Sequence, residues 1–403
     1  MRDILIPTIA IAGVAVAIGL LAGSHRVLAR MAVRNAFRRR SRVLLVTFGL
    51  LIGTMIVSSS LSIGDTLEYI FTGDVYDRLD AVDVTVTHEA NGQLFDFPES
   101  YFFDLRNESV QRGIAFDGMA PALQKEMPVR NGLTGNQAIT VMGLEDAYEA
   151  GFGDLVDTAG GAVGVAALPP DAVYVNEAAA RDLNASVGNR ILLFWGNSAS
   201  EVKNVSVHDI VRDVGKGTYG HLSIVFAPLA SAQGWFNATG RIDVIRVSAP
   251  GPAVGGELQS AQLASDLRRL VVSNGWNVGV HDAKGDALRE AQTIADQATE
   301  LFLVMGSFAI FAGILLIVNV FVMLAEERKA EMGVSRAVGM KRVHVTLAFL
   351  FEGSLYVAMA AAAGALAGVG LGWLMVQIFN TVFPASAGQS FLVFHVEVGS
   401  LVL

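Results

Sequence analysis

Cysteine is absent from this 403-residue chain. No disulfide can staple it and no thiolate can bind a metal in it, so any domain it forms must fold on its own core. Charge is scarce as well, at 17% of residues against 52% hydrophobic, well below the charged share of an ordinary soluble domain. The seven His are scattered and show no metal-ligand spacing with Asp or Glu. No catalytic, cofactor or metal site is therefore expected. There is also no G-x-x-x-x-G-K-[ST] loop, the device that cradles nucleotide phosphates, so an enzyme reading has little support. "GKGTYG" (215–220) is Gly-rich but falls between two predicted strands, where a strand connection explains it. Basic residues are outnumbered, 29 Lys plus Arg against 38 Asp plus Glu, which argues against nucleic acid as a partner.

What the chain has in abundance is uncharged apolar sequence, gathered in blocks. Residues 4–23, 43–64 and 301–325 carry no charge, and 345–379 carries only Glu352. About 20 apolar residues span a bilayer, so four transmembrane helices are expected. Basic residues set the orientation. "SHRVLARMAVRNAFRRRSR" (24–42) holds seven Arg and no acid, and "EERKAEMGVSRAVGMKR" (326–342) holds five Lys or Arg. Both are expected in the cytoplasm, which places Met1 and residues 65–300 outside the cell membrane. That outer region contains 16 Lys plus Arg and 32 Asp plus Glu, so the acidic excess of the chain resides there. A cleaved signal peptide over the first block would leave the seven-Arg segment outside, against the charge rule, and an uncleaved helix is favoured.

The fold class expected is an α-helical integral membrane protein with a large α+β extracytoplasmic domain. The expected layout is an extra N-terminal span (1–23), a basic interfacial helix (24–42), a span (43–64) and the outer domain (65–300). A span (301–325), a cytoplasmic helix (326–342), a last span (343–380) and an outer segment (381–403) follow. Within the outer domain, "DAVDVTVTHE" alternates as a half-buried strand does. "DAVYVNEAAARDLNASVGNRILLFWG" reads strand, helix capped by Asn176, turn, strand. Residues 138–144, 205–214, 222–228 and 242–250 read as strands, and 98–107 and 258–275 as helices, the latter stopping at Gly275. Segments 115–137 and 150–171, rich in Gly, Ala and Pro, read as loops. Residues 64–79 and 283–300 have helical composition beside the spans; they are either stalks continuing those helices or surface helices. Four N-x-S/T triplets, at Asn107, Asn184, Asn204 and Asn237, lie on the outer side, a weak glycosylation signal.

Arg26, Arg30, Arg34 and Arg38 recur every fourth residue, a basic stripe suited to anionic lipid headgroups. Gly364, Gly368 and Gly372 form a small-residue stripe for helix packing. Glu352 lies near the cytoplasmic end of its block, where a hydrated, structural role is expected. Ser58, Ser59 and Ser60 are expected to bond back to their own helix. In 326–342, Ala330, Val334, Ala337 and Val338 fall on one helical face, Arg328 can pair with Glu331, and Gly339 is a natural helix stop. A short cytoplasmic helix with a small apolar face suits docking into a groove of another protein.

"ERKAEMGVSRAVGMKR" resembles the E-R-x-x-E-[IM]-G-x-x-R-A-[LVI]-G pattern of FtsX-like ABC transporter permeases, a family that includes MacB-type members. "MAVRNAFRRRSRVLLVTFGLLIGTMIVSSSLSIGD" resembles that family's first core helix, "DAVYVNEAAARDLNASVGNRI" and "VSVHDIVRD" its MacB-like periplasmic core, and "FLFEGSLYVAMAAAAGALAGVGLG" its third core helix. The resemblance implies a permease subunit that couples ATP hydrolysis by a separate cytoplasmic ATP-binding subunit to motion of the outer domain. It implies that the coupling segment uses Glu327, Arg328, Glu331, Gly333, Arg336 and Gly339, beside the apolar Val334 and Val338. The extra N-terminal block and the ending at "FHVEVGSLVL" depart from the family. They suggest part of a longer permease, with a dimer or a duplicated second half supplying the partner. The alternative reading is a membrane-anchored receptor or scaffold that regulates an outer partner such as a cell-wall hydrolase.

Overall fold

The computed structural model describes residues 40–90, 92–196, 198, 201–252, 254–327, 329–382 and 393–396, with single positions between 21 and 34. Most of the expected span 4–23, most of the basic segment 24–39, with Arg26 and Arg38 of its stripe, and most of 381–403 lie outside the described residues. The chain divides into two compact units, one holding residues up to Ile70, Thr293–Pro384 and Leu392–Leu403, the other Phe71–Gln292 and Ala385–Phe391.

The first unit is helical. Helix α1 (Arg40–Leu79) contains the whole 43–64 block and residues 64–79 without a break. Among the described residues two helices are long and apolar enough to cross a membrane, Thr47–Leu79 and Arg342–Val382. The uncharged block 301–325 falls inside a third long helix, introduced below.

The second unit is α+β. Strands β1 (Val84–Ala90), β2 (Gln93–Phe95) and β3 (Phe97–Pro98) precede helix α2 (Ser100–Gln111). Strands β4 (Gly118–Asn131) and β5 (Thr134–Leu144) then form a long antiparallel pair, followed by the small hairpin β6 (Leu155–Val156) and β7 (Ala162–Val163). Next come β8 (Ala172–Asn176), α3 (Glu177–Asp182), β9 (Arg190–Phe194) and β10 (Val202–Val211). After these lie β11 (Ile224–Pro228), α4 (Leu229–Trp235), β12 (Arg241–Ile242), β13 (Val244–Ser248), α5 (Glu257–Ser273) and β14 (Gly279–His281). The chain leaves the unit in helix α6 (Ala283–Glu327), which joins residues 283–300 to the 301–325 block in one element. A short helix α7 (Lys329–Ala337) and the long α8 (Arg342–Val382) complete the series.

Two lobes share strand β4. On one side the order β14-β1-β13-β4 is antiparallel throughout. Phe102 and Leu105 of α2 and Leu263, Leu267 and Leu270 of α5 pack there with Val84, Val86, Ile245 and Val247. On the other side the path β4-β5-β11-β8-β10-β9 returns to β4, because Val129 and Arg130 pair with Leu193 and Leu192 of β9. Six strands thus close into a barrel filled by Val141, Val173, Val175, Leu193, Val207 and Val225. Closure removes the exposed edges an open sheet would leave.

Strand β4 corrects the sequence reading, which took 115–137 for a loop. Residues Gly118–Leu123 are buried without interruption, so the period-two signal of a half-exposed strand is missing. Pro128 sits where the β4–β5 register shifts between Met127 and Val129, a bulge that tolerates a residue without an N–H. Asn176 caps α3, its side chain accepting from Ala179 N at 2.9 Å. Asn184 and Asn237 take left-handed backbone angles (φ 46° and 54°), a turn geometry that favours Asn.

Candidate functional site

Helix α7 is amphipathic in sequence and its apolar side is bare. Val334 is 65% and Val338 84% exposed, and Ala330, Gly333, Arg336 and Ala337 are exposed as well. The helix stops by a glycine-dependent device. Gly339 has φ 101°, its N–H reaches Arg336 O at 3.0 Å, and Met340 N reaches Ser335 O at 3.1 Å. This is the paired bonding of a Schellman turn, in which a residue with a Cβ would be strained. Two residues beyond Met340, α8 begins. Of the residues singled out in this segment, Glu331, Gly333, Val334 and Arg336 thus fall on α7, Val338 and Gly339 lie in the turn that ends it, and Glu327 is the last residue of α6. Arg328 and the side chains of Glu327 and Glu331 lie outside the described residues, so their pairing has no geometry here.

The helix that follows α7 is held against α1. Gly364, Gly368 and Gly372 are buried on α8, and the groove they leave is filled from α1. A Cβ at Gly364 would fall 1.7 Å from Thr54 Oγ1, and one at Gly368 would fall 2.6 Å from both Met55 O and Ser58 Cβ. Thr54 Oγ1 donates to Ala360 O at 3.2 Å and Ser58 Oγ to Ala365 O at 3.0 Å. Ser58 therefore does not follow the expectation of a bond to its own helix, whereas Ser60 does, donating to Ile56 O at 2.8 Å. Further along, Thr66 Oγ1 exchanges hydrogen bonds with the backbone of His395, whose ring stacks on Tyr69. Residue numbers rise together along both helices, so α1 and α8 pack parallel. The stripe Thr54, Ser58, Ser62, Thr66 was not singled out from sequence, although its four-residue spacing was the available signal. Glu352, expected in a hydrated position, is buried and accepts from Tyr356 Oη at 2.5 Å.

The α+β unit carries its own buried charges. Glu149 bridges Arg246 and Lys216, the latter at 3.1 Å, and the Arg246 guanidinium lies 5.0 Å from the centre of the Phe152 ring. Asp243 is fully buried. Its Oδ1 accepts from Gln124 N at 2.8 Å, while Oδ2 has no hydrogen bond and meets Lys125 Nζ only at 3.8 Å. Burial raises its pKa from 3.8 to about 7, opposed by the Gln124 N–H and Lys125. A carboxyl raised in the folded state favours folding fully below its unfolded pKa, and that contribution is lost as pH rises through about 7. The change amounts to at most about 4 kcal/mol. Asp243→Asn should therefore melt about 5–10 °C higher relative to wild type at pH 8 than at pH 5. Thermal melts of the full chain at both pH values check this; a difference independent of pH contradicts it. On the same unit, an open cleft of about 730 Å³ lies between loop 112–115 and α5, with Ile114, Leu263 and Leu270 among its apolar lining and Arg112 and Arg269 at its rim.

Comparison with known proteins gives two family matches. Residues 43–261 match the MacB-like periplasmic core domain, and residues 303–402 match the FtsX-like permease C-terminal region. Among solved structures, the periplasmic region of MacB from Actinobacillus actinomycetemcomitans is 13% identical, with a TM-score of 0.36, covering 54% of this chain and 96% of that one. The extracellular domain of the noncanonic ABC-type transporter YknZ from Gram-positive bacteria is 14% identical, with a TM-score of 0.34, covering 50% of this chain and 99% of that one. Among curated proteins none matches.

Proposed function

Because the chain belongs to the FtsX/MacB-type family of ABC transporter permeases, we propose that it is a multi-pass cell-membrane subunit whose ATP is hydrolysed by a separate cytoplasmic partner. The chain itself is not an enzyme in this reading. The ATP-binding subunit docks on α7, with Val334 and Val338 entering a groove, and the family pattern implies that Glu327, Arg328, Glu331 and Arg336 take part in the contact. Gly339 sets the turn that joins this contact to α8. Helices α1 and α6 act as stalks that carry displacement to the α+β domain on the outer face, where a substrate is exported or released. A second permease copy, or a duplicated second half, completes the membrane part, and the basic 24–42 segment rests on anionic lipid.

The observation that carries this reading is the bare apolar face of α7, closed by a glycine turn and joined to a membrane-length helix. Two exposed valines four residues apart on a short amphipathic helix suit docking into a partner's groove. The parallel packing of α1 and α8 supports it, since it gives the starts of both helices the same side of the membrane. The test is topology. The chain has no cysteine, so single Cys residues report cleanly. With an impermeant thiol reagent on intact cells, Ser198→Cys should be labelled and Ser41→Cys and Ser335→Cys should not. Labelling of Ser335→Cys from outside removes α7 from the reach of any cytoplasmic ATPase and overturns the reading.

A further inference from the structure

Lys284 is buried to 0% exposure in the first turn of α6. Lysine is almost never fully buried unless paired, and a cation at a helix N-terminus is opposed by the helix dipole. It is held by groups outside its own helix. Nζ meets Asp83 Oδ1 at 2.6 Å and Asp80 O at 2.6 Å, and its backbone N–H donates to Asp83 O at 3.1 Å. Asp80 directly follows α1, with φ 44°, so the ammonium sits on the carbonyl end of that helix, where a cation is favoured. The other oxygen of Asp83 accepts from Ala249 N at 2.7 Å, just past β13, and Asp83 N donates to Val247 O at 3.0 Å. Asp282, before α6, accepts from Gly285 N at 3.2 Å as a helix cap and takes the Ser260 hydroxyl of α5. Beneath the ion pair, Val75 of α1 packs with Leu288 and Ala291 of α6.

We propose that Lys284 is a positioning residue that fastens the outer ends of α1 and α6 to strands β1 and β13, so that a displacement of either helix reaches the sheet. The inference rests on the stalk role given to these helices above. Stability alone does not call for this arrangement, since an apolar pair of similar volume serves a core as well as a buried ion pair or better. An ion pair that also grips a helix-end carbonyl and a strand end fixes relative position as well.

The test uses the full chain with its ATP-binding subunit and compares wild type with the double variant Asp83→Leu, Lys284→Met, which removes both charges together. Hydrogen exchange is followed with and without ATP. In wild type, ATP should change exchange several-fold in residues 84–90 and 244–248. In the double variant, ATP hydrolysis should stay within about twofold, and barrel residues 172–176 and 224–228 should stay protected, but the ATP response of the two strands should vanish. A purely structural role would lower barrel protection or leave the response intact, and an intact response overturns the proposal. If the double variant fails to fold, Asp83→Asn, which keeps an acceptor for Ala249 N, should cut the response at least threefold; an unchanged response there overturns it as well. A wild-type chain whose strands ignore ATP contradicts the proposed function, not the fastening. The fastening is then judged without nucleotide, where the double variant should speed exchange in 76–83 and 283–290 together by tenfold or more, and unchanged exchange refutes it.

Discussion

Placing Asp at both Val334 and Val338 should abolish recovery of the ATP-binding subunit with the permease while leaving the permease in the membrane. Both valines are largely exposed on a face left bare among the described residues. Docking would take them from water into a groove. A carboxylate carried there without a partner costs on the order of several kcal/mol, and two of them should weaken binding by more than about a hundredfold. Insertion should be unaffected, because no apolar block is touched and the five basic residues of 326–342 remain. Glu327→Ala or Arg336→Ala should cost less than about 1 kcal/mol each if those charges lie at a solvated rim. Co-purification at equal expression reads all of these. Equal recovery with the double Asp variant leaves α7 as a topology marker.

The second large effect concerns the parallel pair α1 and α8. A Cβ built at Gly372 lies 3.4 Å from Ser62 Cβ, close to the separation of a disulfide. Ser62→Cys with Gly372→Cys should therefore cross-link on mild oxidation in a chain that has no other thiol. Adding Gly368→Leu one turn away should abolish the cross-link. Even the first carbon of that side chain meets Met55 O and Ser58 Cβ at 2.6 Å, and a backbone carbonyl has nowhere to go without parting the helices. Overpacking of this kind costs about 1–3 kcal/mol or more, and Ser58 loses its bond to Ala365 O as well. Gel mobility under non-reducing conditions decides it. A cross-link that survives Gly368→Leu, or never forms, refutes the packing.

The α+β class, the cap at Asn176 and most strands were legible because each carries a local signal: an alternating run, a capping side chain, a glycine stop. Strand β4 was not, because burial on both faces hides the alternation and Pro121 and Pro128 read as breakers. Closure of the barrel was not legible either. It depends on Val129 meeting Leu193, a pairing of distant residues that no local pattern records. Lys284 and Asp83 read in sequence as ordinary charges at element ends, which are usually solvated; only the folded chain puts them in contact. The glycine stripe of α8 was legible, but the matching stripe on α1 was obscured by the habit of Ser and Thr of bonding to their own helix. In α7 the spacing of Val334 and Val338 and the stop at Gly339 were visible at once, since a helix period and a left-handed glycine need only a few neighbouring residues.

The most direct measurement is ATP hydrolysis by the full chain purified from its native membrane, with and without whatever co-purifies. The account predicts a co-purifying subunit that carries a G-x-x-x-x-G-K-[ST] loop, hydrolysis in the complex, and none in the chain alone. Hydrolysis by the chain alone, or a native complex that contains no such subunit, would contradict it.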